Sequence, residues 1–278
     1  MFEIFDTFLF DGDGVLYKEN SPLPGAIAFL KLLEDRKKQI FILTNNSTKT
    51  REEFQEKLKN LGISLPLNHI LTSAHLTAEY VKEQNPNSSV YVIGEQGLKQ
   101  ELLSVGLNVL NTWEENNDED IFDVNFDEID YVVTGMDRSF NYTKIARATH
   151  ILVNYKDVQF IATNGDFTFP TVKGLIPGGG AMIAILEALS GRKVEEIVGK
   201  PASLMYEKAV EIAKSKKEAS IMFGDRIETD IYGANEAGIT SCLVLSGVTT
   251  MDDLGKLDDE EGPDIIINNL EDAIEDFN

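Results

Sequence analysis

Two stretches of this chain combine residue types and spacings suited to chemistry on an anionic group. Phe10-Asp11-Gly12-Asp13-Gly14 sets two carboxylates two residues apart, directly after the apolar run Thr7 to Phe10. At a strand end both would lie near one sheet edge, where open α/β sheets bind ligands. A solvated acidic turn would read the same way. A calcium-binding EF-hand loop also opens D-x-D-G, but here the fifth position is Val15, the sixth Leu16 rather than Gly, and the twelfth Pro22 rather than Glu. Leu43-Thr44-Asn45-Asn46-Ser47 ends a second apolar run. A hydroxyl with successive N–H groups at a helix start can hold a phosphate oxygen, the plainer alternative being a turn or cap.

Two further stretches follow late in the chain. Val198-Gly199-Lys200-Pro201 stands just ahead of a helical pattern. A lysine there opposes the helix dipole, so it is either solvated or matched by an anionic ligand. It is not a Walker loop, since no G-x-x-x-x-G-K-[ST] occurs. In Phe223-Gly224-Asp225-Arg226-Ile227-Glu228-Thr229-Asp230, Asp225 would sit at a strand end and Asp230 would open the next helix, where capping is compatible with function. Gly178-Gly179-Gly180 completes no dinucleotide fingerprint. His69, His75 and His150 fit no role and read as surface or partly buried residues.

The elements that must position these residues alternate regularly. Strands are predicted at Thr7 to Phe10, Ile40 to Leu43, Val90 to Ile93, Tyr131 to Val133, Gln159 to Ala162, Ser220 to Phe223, Ser241 to Leu245 and Asp264 to Ile267. Phe54, Leu58 and Leu61 recur at helical spacing, with Thr50 and Glu53 as a capping box and Gly62 as the stop. Met205, Ala209, Ile212 and Ala213 form another helical stripe. Strand followed by helix followed by strand indicates an α/β fold with a parallel sheet. Asn111 to Asp130 is acidic and aperiodic, and reads as a loop inside a smaller unit. Pro170 to Gly180 reads as a hinge or re-entry point, and Asp252 to Asp264 as a solvated loop.

A formal net charge of -22 disfavours nucleic acid and anionic membranes as partners and offers no long-range steering to an anionic substrate. A phosphate site must therefore be made locally. The single cysteine, Cys242, excludes an intramolecular disulfide. The first residues lack a basic leader and no apolar run approaches a membrane span, so the expectation is a cytoplasmic protein.

Taken in order, these four stretches resemble the motifs of the haloacid dehalogenase (HAD) superfamily. The resemblance is closest to its NagD-like, 4-nitrophenylphosphatase-type branch, through Thr44-Asn45-Asn46-Ser47, Pro177-Gly178-Gly179-Gly180, Gly191-Arg192-Lys193, Gly199-Lys200-Pro201, Gly224-Asp225-Arg226 and Thr229-Asp230. It implies a Rossmann-like core from residues 1–82 and 181–278, interrupted by a mobile, C2-type α/β cap over residues 83–180. It implies a phosphatase acting on a small phosphorylated metabolite through a phospho-aspartate on Asp11, with Asp13 as general acid and base. Magnesium would be held by Asp11, Asp225 and the Asp13 carbonyl, with Asp230 supporting from behind. Gly12 would let the backbone approach the phosphate, Thr44, Asn45 and Asn46 would bind it, and Lys200 would offset its charge. A homodimer through the cap follows from the same resemblance.

Two positions depart from the branch. Ser203 stands where proline is usual, and Gly165 in Asn164-Gly165-Asp166 should loosen a loop facing the substrate. The same site could also serve a phosphotransferase or mutase, or the fold a non-catalytic phospholigand-binding protein. The second carboxylate argues against the last of these.

Overall fold

The computed structural model describes residues 1–117, 120–122, 125, 126, 128–171, 173–255 and 262–277. The expected acidic loops at Asn111 to Asp130 and Asp252 to Asp264 lie partly outside these residues. The chain begins with β1 (Thr7–Phe10), β2 (Tyr17–Lys18), β3 (Ser21–Pro22), α1 (Ala26–Asp35), β4 (Gln39–Thr44), α2 (Arg51–Asn60) and β5 (Ile70–Thr72). It continues through α3 (Ser73–Gln84), β6 (Ser89–Ile93), α4 (Gln96–Ser104), β7 (Asn108–Val109), β8 (Tyr131–Thr134), α5 (Tyr142–Asn154), β9 (Gln159–Ala162), β10 (Thr168–Thr171), β11 (Gly174–Pro177), α6 (Gly179–Ser190) and β12 (Glu196–Ile197). It closes with α7 (Leu204–Ala213), β13 (Ser220–Gly224), α8 (Tyr232–Ala237), β14 (Thr240–Val244), α9 (Met251–Leu254), β15 (Ile265–Ile267) and α10 (Leu270–Phe277).

Two compact units form. The first comprises residues 1–44, 52–71 and 200–278, the second residues 45–51 and 72–199. The first holds a six-stranded sheet in the order β15-β14-β13-β1-β4-β5. Its ladders from β4 through β1, β13 and β14 to β15 are parallel. Strands covered on both faces must be apolar throughout, and Thr7–Phe10 and Ser220–Gly224 are buried at every residue. Phe10 and Phe223 stack with ring centroids 5.0 Å apart, and Phe8, Phe29 and Phe277 pack around them. Burying each such ring contributes about 2 to 3 kcal/mol. The order reverses at β1, which lies between β4 and β13, so the crevice at the ends of β1 and β13 is a topological switch point.

The second unit has its own sheet, β12-β9-β8-β6-β7, also with parallel ladders. Tyr91, Val132, Ile151, Phe160 and Leu186 form its core. The boundaries differ from 83 and 180, because α3 packs on α4 and α6 packs on α5 and β8. Both helices therefore belong with the second sheet. Pro170 to Gly180 is no hinge but the β10–β11 antiparallel hairpin and the start of α6. Phe169, Thr171 and Ile176 are β-formers in its strands, and Gly174 takes φ +124°. In the acidic stretch, Glu115 is buried and accepts from Tyr91 OH and the Arg147 guanidinium, so that segment is tied from inside. His75 is buried, against expectation, with its ring between the carboxylates of Glu79 and Glu101. Among the described residues no helix is long and apolar enough to cross a membrane.

Candidate active site

Three strands of the first sheet end together. Asp11 follows β1, Thr44 closes β4, and Asp225 follows β13. Lys200 enters from the segment ahead of α7 and is buried beneath them. Its Nζ donates to Asp11 Oδ1 at 2.6 Å, Asp230 Oδ1 at 2.7 Å and the Leu43 carbonyl at 3.0 Å. An ammonium has three protons, and these three acceptors match them. Lys200 is thus neither solvated nor part of the helix start, since α7 begins at Leu204. Burial works against its charge, but Asp11 and Asp230 outweigh this and hold its pKa above the ordinary lysine value.

Asp230 lies within the turn that precedes α8 and pairs with Lys200 through one oxygen. Its other oxygen accepts from the N–H groups of Asp225, at 3.2 Å, and Arg226, at 3.1 Å, capping the turn Ile227–Ile231. Tyr206 OH donates to the carbonyls of Thr229 at 2.9 Å and Asp230 at 3.2 Å, holding that turn in place. One carboxylate oxygen from each of Asp11, Asp225 and Asp230 lies within 4.8 Å of the others.

Asp225 is held on one side only. Its Oδ2 accepts from Val248 N at 2.8 Å, whereas Oδ1 is buried with no hydrogen-bond partner among the described residues. Gly14, at φ +89°, and Gly247 flank it: a Cβ on either would lie 2.3 Å and 1.9 Å, respectively, from Asp225 Oδ2. Burial, then the charges of Asp11 and Asp230, push the Asp225 carboxyl well above its ordinary range. Burial likewise raises Asp11 to about 6, with Lys200 opposing and Asp230 adding to the rise. Asp11, Asp225 and Asp230 are clustered with the Lys200 ammonium as their one buried cation among the described residues, and one Asp225 oxygen is buried without a partner there. This donor set suits a hard divalent cation with oxygen ligands, and the residues fit magnesium.

Asp13 is exposed at the mouth of the same loop, and desolvation in its crowded surroundings raises its carboxyl, with Lys57 opposing. The close approach that Gly12 permits is by Tyr17, whose hydroxyl would lie 2.5 Å from a Cβ there. Thr44 is buried at the end of β4. Asn45 and Asn46 belong to the second unit. The Asn45 side-chain amide donates to Asp166 Oδ2 at 3.1 Å, and Asn46 Oδ1 accepts from Thr48 N at 3.1 Å, Thr48 Oγ1 at 3.2 Å and Lys49 N at 3.2 Å. Residues after β14 were missed in the sequence: Ser246 Oγ donates to the Gly14 carbonyl at 2.7 Å, beside Gly247 and Val248. The signal available was Ser246-Gly247 directly after an apolar strand of the same sheet.

Two family models match the chain: haloacid dehalogenase-like hydrolase over residues 8–108, and HAD-hydrolase-like over residues 197–273. An acid sugar phosphatase of Staphylococcus epidermidis is 35% identical over 250 residues, which is 90% of each chain. The 4-nitrophenylphosphatase of Thermotoga maritima superposes with a TM-score of 0.88 at 31% identity, covering 100% of this chain and 99% of its own. A glycerol phosphate phosphatase of Mycobacterium tuberculosis, solved in complex with magnesium, gives a TM-score of 0.84 at 29% identity, over 97% of this chain and 77% of its own.

Proposed function

The chain belongs to the haloacid dehalogenase-like hydrolases and is a phosphatase of the NagD and 4-nitrophenylphosphatase type, and from that premise we propose that it hydrolyses small phosphate monoesters through a phospho-aspartate on Asp11, with magnesium. The observation that carries the proposal is the Lys200 ammonium clamped between Asp11 and Asp230, beside an Asp225 oxygen that has no hydrogen-bond partner among the described residues. A half-buried carboxylate paired with a buried ammonium at a strand end is placed to act as a nucleophile toward phosphorus.

In the first step an Asp11 oxygen forms a bond to phosphorus as the ester P–O bond breaks. The electron pair goes to the leaving oxygen, which takes a proton from Asp13. In the second, Asp13 removes a proton from water, whose oxygen bonds to phosphorus as the acyl-phosphate P–O bond breaks. Asp11 is restored and inorganic phosphate is released. The raised Asp13 carboxyl suits the acid role, and its exposure suits exchange with leaving group and water. Lys200 offsets the charge of Asp11 and the phosphoryl oxygens, while Thr44 and the Asn45 and Asn46 main chain bind those oxygens. Asp11, Asp225 and the Asp13 carbonyl would hold magnesium, which when bound supplies positive charge against the transferring phosphoryl group. Asp230 orients both Lys200 and the Asp225 loop.

The second unit, made of residues 45–51 and 72–199, is proposed as the cap that selects the leaving group. Sugar phosphates lead the substrate panel, because a 35% identical relative is an acid sugar phosphatase. A cytoplasmic location and a homodimer through this unit belong to the same reading. The dimer is supported by exposed Phe167, Phe169 and Leu175 on and beside the β10–β11 hairpin, and light scattering on the purified chain tests it. Release of 4-nitrophenol from its phosphate ester, with magnesium, with EDTA and in Asp11→Asn, tests the reaction. Metal-dependent turnover lost in the variant supports the mechanism; undiminished turnover in Asp11→Asn sinks it.

A further inference from the structure

Asn45 is the first residue after β4, and it is held by side chains of its own unit from two directions. Its main-chain carbonyl accepts from Ser73 Oγ at 3.0 Å and from Asn164 Nδ2 at 3.0 Å. Its side-chain amide donates to Asp166 Oδ2 at 3.1 Å. Asn164 is buried, and its Oδ1 accepts from Asp166 N at 3.2 Å, so the two holding residues also brace each other.

The loop that carries them is itself seated. Gly180 N donates to the Asp166 carbonyl at 2.9 Å. A Cβ at Gly179 would lie 2.9 Å from Asn164 Oδ1, and one at Gly180 2.4 Å from the Gly165 carbonyl. The run Gly178-Gly179-Gly180 therefore lets the loop rest directly on the start of α6.

A trans peptide is planar, so a carbonyl pinned by two donors also fixes the N–H of the next residue, which points the opposite way. Here that N–H belongs to Asn46. Asp166 is an unsuitable phosphate ligand in its own right, because two anions repel. As an acceptor for the Asn45 amide it makes physical sense.

We propose that Asn164 and Asp166 are positioning residues for phosphoryl binding, which fix the Asn45–Asn46 peptide before the ligand arrives. Pre-organisation of this kind lowers the ordering cost of binding. The proposal rests on the phosphatase reading above, in which this segment binds the phosphoryl oxygens.

The test measures inorganic phosphate binding by calorimetry with magnesium present, together with KM and kcat on 4-nitrophenyl phosphate, in Asp166→Ala and Asp166→Asn. Inorganic phosphate has no leaving group, so its affinity does not respond to a role in substrate choice. Asp166→Ala should weaken phosphate binding about tenfold and raise KM in step, with Tm unchanged. Asp166→Asn should recover most of that loss, since its carboxamide oxygen still accepts from Asn45. Unchanged phosphate affinity in Asp166→Ala overturns the proposal, as does an equal loss in both variants. Should Asp166→Ala fail to fold, Asn164→Asp keeps the volume but removes a donor to the Asn45 carbonyl. Weaker phosphate binding there supports the positioning, and wild-type affinity overturns it. Turnover of the unmodified chain and its loss in Asp11→Asn test the underlying reading separately, so either can fail while the other stands.

Discussion

Lys200 Nζ lies 2.6 Å from Asp11 Oδ1, across 189 residues of sequence, and the same ammonium reaches Asp230 Oδ1 at 2.7 Å. Both Lys200 and Asp230 are buried. The three groups join the end of β1, the segment before α7 and the turn after β13 into one electrostatic unit. The lysine is the common member, so its loss leaves two carboxylates facing each other in a poorly solvated site.

Lys200→Met should therefore cost stability as well as turnover. Removing one partner of a buried ion pair leaves the other charge uncompensated, typically at a cost of about 3 to 5 kcal/mol. Urea unfolding in EDTA reads the loss directly. Lys200→Arg should not restore activity, because a planar guanidinium cannot reproduce three acceptors placed around a point charge. A Lys200→Met chain as stable as the unmodified protein would overturn the view of Lys200 as the charge that holds this cluster together.

Much of this site was legible before any coordinates. Asp11, Thr44 and Asp225 could be placed at strand ends because β1, β4 and β13 are short apolar runs, and apolar runs of this length in a parallel sheet end where ligands bind. Lys200 was legible only as a mismatch with a helix dipole, because its partners lie far away in sequence. The seat of Asp225 was not legible, since Gly14 and Gly247 act by having no side chain, and what they avoid is visible only in three dimensions. The boundary between the units was misplaced for a related reason. Nothing in the residues of α3 and α6 says which sheet these helices cover.

Gly247→Ala tests that seat. A Cβ there would lie 1.9 Å from Asp225 Oδ2, so either the carboxylate or the loop must shift. A displacement of about 1 Å at a reacting centre can lower the rate about a hundredfold. The expected result is such a loss in kcat with near-normal unfolding behaviour, and a higher magnesium requirement. Full activity at the original magnesium concentration would show that the loop yields without moving Asp225.

The metal-free protein should lose stability from this site as pH rises. Burial raises Asp11 from 3.8 to about 6, and Asp225 is raised in the same direction. Between those values the native state binds more protons than the unfolded chain, so stability falls with increasing pH through that window. For Asp11 alone the contribution is about 3 kcal/mol at most. It is fully present below about pH 4 and lost above about pH 6. Urea unfolding in EDTA from pH 4 to pH 7 measures it as the difference between the unmodified chain and Asp11→Asn, which lacks the titrating group. A difference that is flat across this range would contradict the assigned direction.

Magnesium should reverse that trend, because a cation favours the ionised carboxylates. Among the described residues the buried Asp225 Oδ1 has no hydrogen-bond partner, and Asp11 shares the Lys200 ammonium with Asp230. A ligand that binds only the native state raises stability by about 2.7 kcal/mol at a hundred times its Kd. Thermal unfolding should therefore show Tm rising with magnesium at pH 7.5 and rising much less at pH 5, where protons compete for the same oxygens. Asp225→Asn should remove most of the magnesium-dependent rise while leaving the metal-free protein at least as stable, since it deletes a buried charge with no cation to offset it. If Asp225→Asn kept the full magnesium response, the cation would have to be held elsewhere, and Asp225 would serve only to set the loop that Val248 and Asp230 already grip.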